Sequence, residues 1–431
     1  MLFRSCVRDS GPSASWYYAT AMSRAVRPAL TDSHEVDVCV VGAGITGCST
    51  ALHLAQKGYS VAVLEAEFVG YGASGRSGGQ AIAGYNVSQS DITRLVGSED
   101  ARQLWDLSEE AMRCTRSLVQ EHAIACDWTD GHILAGEKPR HAREIRTILQ
   151  EWKSLGRVDL EYWESYQIRQ ALDSPRYTCA LHDPHGGHLH PLNYTLGLAG
   201  AAERAGALFY DKTPVVSWHG NGPIVISTPQ GQLRARFLIL CGNAYFQSDK
   251  QRISRTIMPV GTYIAATEPL GESRARALIP NNQAVADMRF VLNYFRRSRD
   301  HRLLYGGRVS YSRLNPLRVA EAMRRSMVDC FPQLSDVAVE YVWGGDVAIT
   351  INRLPHFGRL SSNVFFAHGF SGHGIALTGF AGRLMAEAVD GHAARFDVFS
   401  RIPHRSFPGG TVFRTPLLVL AMAWRQLRDL L

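Results

Sequence analysis

The segment 36–65 constrains the fold more than any other part of this chain. It reads Val-Asp-Val-Cys-Val-Val, then Gly42-Ala43-Gly44-Ile45-Thr46-Gly47, then a stretch carrying Ala51, Leu52 and Leu54, and finally Gly58-Tyr-Ser-Val-Ala-Val-Leu-Glu65. A short β-branched run, a Gly-x-Gly-x-x-Gly turn, a helix with one packed side and a second apolar run together predict a βαβ unit that binds a dinucleotide. Gly42 allows the tight turn, Gly44 lets a pyrophosphate approach, and Gly47 lets the helix pack closely on the strand. The helix start at Ile45 and Thr46 turns its unpaired amides toward the phosphate charge. Glu65, with Ala66 beside it, can accept hydrogen bonds from ribose hydroxyls and disfavours a 2′-phosphate. FAD and NAD both satisfy this unit.

A glycine-rich run follows at once, Gly70-Tyr71-Gly72-Ala73-Ser74-Gly75-Arg76-Ser77-Gly78-Gly79-Gln80. Glycine loses the most entropy on ordering, so this density implies a backbone that approaches something closely or adopts positive φ. Far downstream, Asn363-Val-Phe-Phe-Ala-His368-Gly369-Phe370-Ser371-Gly372-His373-Gly374 repeats the strand-into-glycine pattern and leads into a predicted helix at 375–389. A second helix N-terminus would then face a partly negative group, such as the N1 and C2 carbonyl side of a reduced flavin.

The 431 residues, 45% apolar and 20% charged, are enough for a large core spread over two or three domains and exclude general disorder. The net charge of +7 comes from 41 Arg and only five Lys, scattered along the chain with no nucleic-acid-binding module. No nucleic-acid partner is expected. The eight cysteines include no Cys-x-x-Cys pair, and Cys39 and Cys241 sit in apolar runs, which fits reduced thiols and a cytoplasmic location. His182, His185, His188 and His190 fall on a stretch broken by Pro184, Gly186 and Gly187, with no completing ligand set, so no metal is expected. Residues 1–34 lack a secretory apolar core and read as an arm in which Ser15-Trp16-Tyr17-Tyr18 docks.

Elsewhere the pattern predicts paired strands at 213–218 and 223–229 around Gly220-Asn221-Gly222, and a buried strand at 237–244. Amphipathic helices are expected at 91–122 and 140–155, and alternating strands at 289–296 and 302–307.

These motifs, with Gly187-His188-Leu189-His190-Pro191, Met258-Pro-Val-Gly-Thr-Tyr263, Trp343-Gly-Gly, Arg353-Leu-Pro-His-Phe-Gly358 and Phe370-Ser-Gly-His-Gly374, resemble the FAD-dependent D-amino-acid-oxidase-like amine oxidoreductases. The resemblance runs from about Ser15 to Pro408. It implies an α/β fold in which a glutathione-reductase-type, Rossmann-like FAD-binding domain is interleaved with a substrate domain on a mixed, mostly antiparallel sheet. The FAD domain would take 35–88, 179–249 and 347–395, the substrate domain 89–178 and 250–346, and a basic C-terminal tail 396–431.

By the same resemblance, FAD is contacted by Gly42, Gly44, Ile45, Thr46, Gly47, Glu65 and Ala66 of the first unit, and by Gly72, Ala73, Ser74, Arg76, Ser77, Gly78, Gly79 and Gln80 of the second run. Val215 by its backbone, Gly242 near the phosphates, and Gly369, Ser371, Gly372, His373 and Gly374 complete the set. Tyr263, Trp343 and His373 would orient the substrate. Flavin-linked relatives carry a Cys or His where this chain has Gly345 and Arg76, which implies non-covalent FAD.

The implied reaction is hydride transfer from a carbon beside an amine nitrogen to flavin N5, with gamma-glutamylputrescine or a close polyamine conjugate as substrate and ammonia as a product. The implied acceptor is oxygen, yielding peroxide; the absence of lysine after Lys250 leaves another electron carrier as the alternative. A sarcosine-like N-methyl amino acid or a D-amino acid is the alternative substrate. A flavoprotein that binds RNA or membrane is the alternative of a different class. The apolar run at 416–428 with its arginines is expected to pack on the protein's own surface or across a dimer, with a membrane interface as the alternative.

Overall fold

A computed structural model describes residues 15–22, 25–220, 222–246, 252–289, 291–310 and 316–408. The arm at 1–14, Asn221 and the apolar run at 416–428 lie outside them. Val36 to Val41 form the inner part of strand Ser33–Val41, with Val38, Cys39 and Val40 wholly buried. Such a strand, apolar on both faces, belongs inside a covered parallel sheet. It pairs in parallel with Val61–Leu64 on one side and Gln232–Leu240 on the other. Leu208–Tyr210 and Val364–His368 extend the parallel part, and His356–Ser361, Ile224–Ser227 and Ser217–His219 add antiparallel pairings to make eight strands. Helices Ile45–Gln56, Pro191–Arg204 and Gly374–Val389 pack together over this sheet.

The second sheet has nine strands. In order they are Val339–Thr350, Ile257–Thr267, Leu303–Ser310, Tyr294–Arg297, Ala284–Asp287, Thr129–Gly136, Cys179–His188 and Gln80–Ala81, with Glu161–Glu164 also on Cys179–His188. Every pairing is antiparallel except that of Ala284–Asp287 with Thr129–Gly136. The mixed, mostly antiparallel architecture is therefore present.

Two boundaries differ from expectation. Cys179–His188, expected with the dinucleotide unit, is an interior strand of the second sheet, and the whole of Val339–Thr350 forms an edge of that same sheet. Their apolar positions pair with Thr129–Gly136 and Ile257–Thr267, a long-range choice that periodicity cannot reveal. The helix expected across 91–122 is two helices, Gln89–Val96 and Ser98–Glu121, because Gly97 between them has φ +86°. Among the described residues, no helix is long and apolar enough to cross a membrane.

The largest core lies between the sheets. It joins Val38, Val40 and Ile45 of the first unit to Ile264, Leu304 and Trp343 of the second sheet. Trp16 and Tyr17 of the N-terminal helix Trp16–Ala19 are buried in it.

Candidate functional site

The first glycine turn has the shape a pyrophosphate requires. Gly42 has φ +100°, and a Cβ there would meet the Cys241 carbonyl oxygen at 3.0 Å. A Cβ on Gly47 would collide with the Gly42 carbonyl oxygen. Gly44 precedes helix Ile45–Gln56 without any side-chain cap of its own; the Ile45 N–H instead donates to Ser74 Oγ at 3.0 Å, drawing the second glycine run onto the helix start. Thr46 is buried in the same turn. Gly242 lies against Gly42, so these motifs, far apart in sequence, meet at one end of the parallel strands.

Glu65 closes the unit. Its Oε2 accepts the Ala43 N–H at 2.8 Å and its Oε1 the Glu67 N–H at 3.0 Å, leaving lone pairs on each oxygen. Burial raises its pKa, and the two backbone donors oppose that rise. Ala66 is exposed beside it, and Val215 is half-buried on the neighbouring connection, whose Thr213 N–H donates to the Glu65 carbonyl at 2.7 Å.

The run 70–80 crosses from the first sheet to the second. Ala73–Gly75 is a single 3-10 turn, Gly72 lies against the Tyr245 ring, and Gly78 lies under the Tyr294 ring, where a Cβ would come within 2.7 Å of it. Gly79 has φ +72°, and Gln80 enters the second sheet opposite His188 while its Nε2 donates to the Val285 carbonyl. Arg76 stacks over Tyr71, with its Cζ 4.5 Å from the ring centroid, and donates from Nε to the Tyr71 carbonyl and from Nη1 to the Gly344 carbonyl. Arg76 Nη2 and Ser77 Oγ are buried with no hydrogen-bond partner.

Those two orphaned polar atoms, the glycine cradle and the helix start without its own cap fit FAD, which would supply acceptors to each. Buried donors are rarely left unpaired, so a bound polar group is the economical explanation.

The third glycine segment sits on the far end of Val339–Thr350. The Gly369 N–H donates to Asn243 Oδ1 at 3.0 Å, Ser371 N–H to the Ala348 carbonyl at 3.0 Å, and Thr350 N–H to Ser371 Oγ at 3.2 Å. Gly372 has φ +85° with open space around it, and Gly374 begins helix Gly374–Val389, whose N-terminus has no side-chain cap. His373 precedes it, with Nε2 3.2 Å from the Ala83 carbonyl, so that nitrogen carries the proton. Burial pulls its pKa down to about 4, keeping the ring neutral at neutral pH.

Trp343 and Tyr263 do not form one wall. Trp343 is paired across the sheet with Ile264, and Tyr263 with Gly344, so by the alternation of strands they point to opposite faces. Trp343 faces the glycine run, donating its indole N–H to the Arg76 carbonyl at 3.0 Å. The Tyr263 ring lies against Gly344 and packs on the other core, with Ala265 and Val342. The expectation that Tyr263 reaches the substrate face together with Trp343 is corrected accordingly.

Sequence reasoning read Tyr294 only as a strand aromatic and Tyr17 only as part of a docking segment, and it did not single out Arg296. Tyr294 and Arg296 share one face of Tyr294–Arg297 and turn toward Gly78, and the i, i+2 alternation was the available signal. The four histidines at 182–190 diverge: His182 stacks on Trp163, His185 pairs with Asp159, His188 bonds the Asn282 carbonyl and His190 Nδ1 accepts the Asn193 N–H.

Comparison with known proteins agrees with this geometry. A family described as FAD dependent oxidoreductase matches residues 37–388. The gamma-glutamylputrescine oxidoreductase of Escherichia coli (strain K12) is 39% identical over 418 residues, covering 97% of this chain and 98% of that protein. The probable oxidoreductase OrdL of Haemophilus influenzae is 38% identical, covering 93% of each. Among solved structures, glycine oxidase from Geobacillus kaustophilus superposes with a TM-score of 0.71 at 20% identity over 83% of this chain and 95% of that one. L-proline dehydrogenase from P.horikoshii gives 0.68 at 18% identity over 88% of this chain and 96% of that one.

Proposed function

From the premise that this chain belongs to the FAD dependent oxidoreductase family, we propose that it oxidises gamma-glutamylputrescine to gamma-glutamylaminobutyraldehyde. The observation that carries the substrate is the 39% identity over nearly the whole length to an enzyme bearing that name. In the balanced reaction, R–CH2–NH2, O2 and H2O become R–CHO, NH3 and H2O2. Bound FAD supplies the hydride acceptor, and the imine left on the substrate is hydrolysed by water.

The chain's own tasks are to bind, orient and desolvate. In this reading the eight-stranded sheet carries FAD and the nine-stranded sheet covers the substrate. Trp343 and Tyr294, on the face of the second sheet turned toward Arg76 and Gly78, wall the alkyl chain and exclude water, which favours the neutral amine. Neutral His373 adds no positive charge that would repel an incoming ammonium group. The N-terminus of Gly374–Val389 offers unpaired amides where negative charge develops. Arg76 and Ser77 hold the cofactor through their orphaned atoms, without a covalent link. The described cysteines are all free and buried, in keeping with a reducing cytoplasm.

Anaerobic mixing of the yellow holoprotein with gamma-glutamylputrescine should bleach the flavin band, and re-aeration should restore it with one peroxide per turnover. Bleaching by sarcosine or a D-amino acid instead would replace the substrate.

A further inference from the structure

The N-terminal helix Trp16–Ala19 is remote in sequence from every glycine motif, yet its second residue stands behind the site. Tyr17 is fully buried, with its ring edge-on to Trp343 at 5.2 Å between centroids and to His190 at 4.9 Å. Its hydroxyl accepts from Arg296 Nη2 at 3.1 Å. Arg296 also donates from Nε to the Gly78 carbonyl at 2.9 Å and from Nη2 to the Leu189 carbonyl at 2.9 Å. Among the described residues no carboxylate pairs with this buried guanidinium; carbonyls and the Tyr17 hydroxyl take its donors.

The helix is fastened at several points. Ser15 caps it, Trp16 Nε1 donates to Asp300 at 3.2 Å, Thr20 Oγ1 donates to the Trp16 carbonyl and meets His190 Nε2 at 3.1 Å, and Met22 N–H donates to Asn193 Oδ1 at 2.9 Å. These ties leave Tyr17 little freedom. Two groups of the site, the Trp343 indole and the Gly78 turn, therefore share one rigid support.

We propose that Tyr17 is a positioning residue of the flavin site, setting the Trp343 ring by contact and the Gly78 end of the glycine run through Arg296. This rests on the reading that Arg76 to Gly79 lie along the flavin. Tyr17 touches neither reacting atom; it acts by fixing two groups that do approach the cofactor. A shift of about 1 Å at such a support is enough to change a rate by orders of magnitude. The helix Trp16–Ala19 is then a support of the flavin site.

The test uses full-length holoenzyme carrying Tyr17→Phe and, separately, Tyr17→Leu. Tyr17→Phe keeps the ring and removes only the hydroxyl, one of the two acceptors of Arg296 Nη2. The flavin absorption envelope and reduction potential should shift, and the limiting rate of flavin reduction by the amine should fall roughly 3- to 10-fold with half-saturation changed less than twofold. Tyr17→Leu also removes the edge contact with Trp343 and should weaken FAD retention about tenfold. Wild-type spectrum, potential and FAD affinity in both variants, with only a lower melting temperature, would overturn the proposal and leave Tyr17 as packing. Spectrum, potential and FAD affinity need no substrate, so a wrong amine would not mimic that result. If Tyr17→Leu fails to fold, Tyr17→Phe alone decides.

Discussion

The indole N–H of Trp343 donates to the carbonyl of Arg76 at 3.0 Å, and the Arg76 guanidinium returns a bond to the Gly344 carbonyl at 3.2 Å. These two bonds join the edge strand of the second sheet to the glycine run that leaves the first, at the seam between the two sheets. Either residue therefore reports on the geometry of the seam.

Replacing Trp343 by Phe keeps most of the ring and deletes the donor. The half-buried Arg76 carbonyl then loses this partner, at a cost of about 0.5–1.5 kcal/mol. Thermal unfolding should move down by a few degrees, and FAD should dissociate faster in fluorescence release measurements. Unchanged amine turnover in Trp343→Ala would remove this residue from the substrate wall.

Gly47→Ala should abolish FAD binding or soluble expression, because the added Cβ collides with the Gly42 carbonyl in the main-chain turn. Gly200→Ala is the control. It lies in helix Pro191–Arg204, where a Cβ meets only the flexible end of Arg204 at 3.5 Å, so stability should rise by about 0.5–1 kcal/mol with FAD binding intact. Urea titration of both variants, with flavin content, reads the difference.

Glu65→Gln keeps the shape but turns one of two acceptor oxygens into a donor. The Ala43 or Glu67 N–H would then face an NH2 group, and the ribose would lose a charged acceptor. FAD affinity should fall about tenfold or more by equilibrium titration of the apoprotein, with no gain of a preference for a 2′-phosphorylated dinucleotide.

Acid should destabilise the fold through a buried imidazole group. His356 and His368 approach at 3.0 Å, Thr256 Oγ1 lies 2.9 Å from His356, and His404 stacks on His356 at 4.1 Å. Burial, with repulsion from His404 for the first two, pulls His356 to about 2, His368 to about 3 and His404 to about 4. An unfolded histidine titrates near 6.5, so the unfolded chain binds more protons below that value and stability falls as pH drops from about 6.5 toward 4. Each tenfold loss of proton affinity on burial is worth about 1.4 kcal/mol at most. Urea unfolding at pH 7, 6 and 5 should show this decline, and His404→Gln should flatten it.

Flavin should leave with the supernatant when the protein is precipitated with acid. Arg76 and Gly345 offer no nucleophile to the ring system, and colour retained in the pellet would show a covalent link.

The glycine turns, the acid at 65 and the helix after Gly374 were readable because local backbone demands leave a local mark: a tight turn needs glycine, and an apolar alternation needs a sheet. The split at Gly97 had its mark too, a glycine inside a long helical period, outweighed by the amphipathic pattern on either side. Tyr263 and Trp343 were placed on one face for the opposite reason. A one-residue step along a strand reverses the face, and only pairing with Gly344 shows which face is which.

Local sequence patterning thus specified a dinucleotide-binding unit, and its motifs carried the resemblance to flavin-dependent amine oxidoreductases, because the contacts to a cofactor backbone are made by short, contiguous turns. Folding in three dimensions settled that Trp343 faces Arg76 while Tyr263 turns away, and that Tyr17 reaches Trp343 and Arg296 across most of the chain length. Those relationships depend on strand register and on the docking of a four-residue helix into a shared core, and long-range packing of this kind leaves no periodic trace in the order of residues.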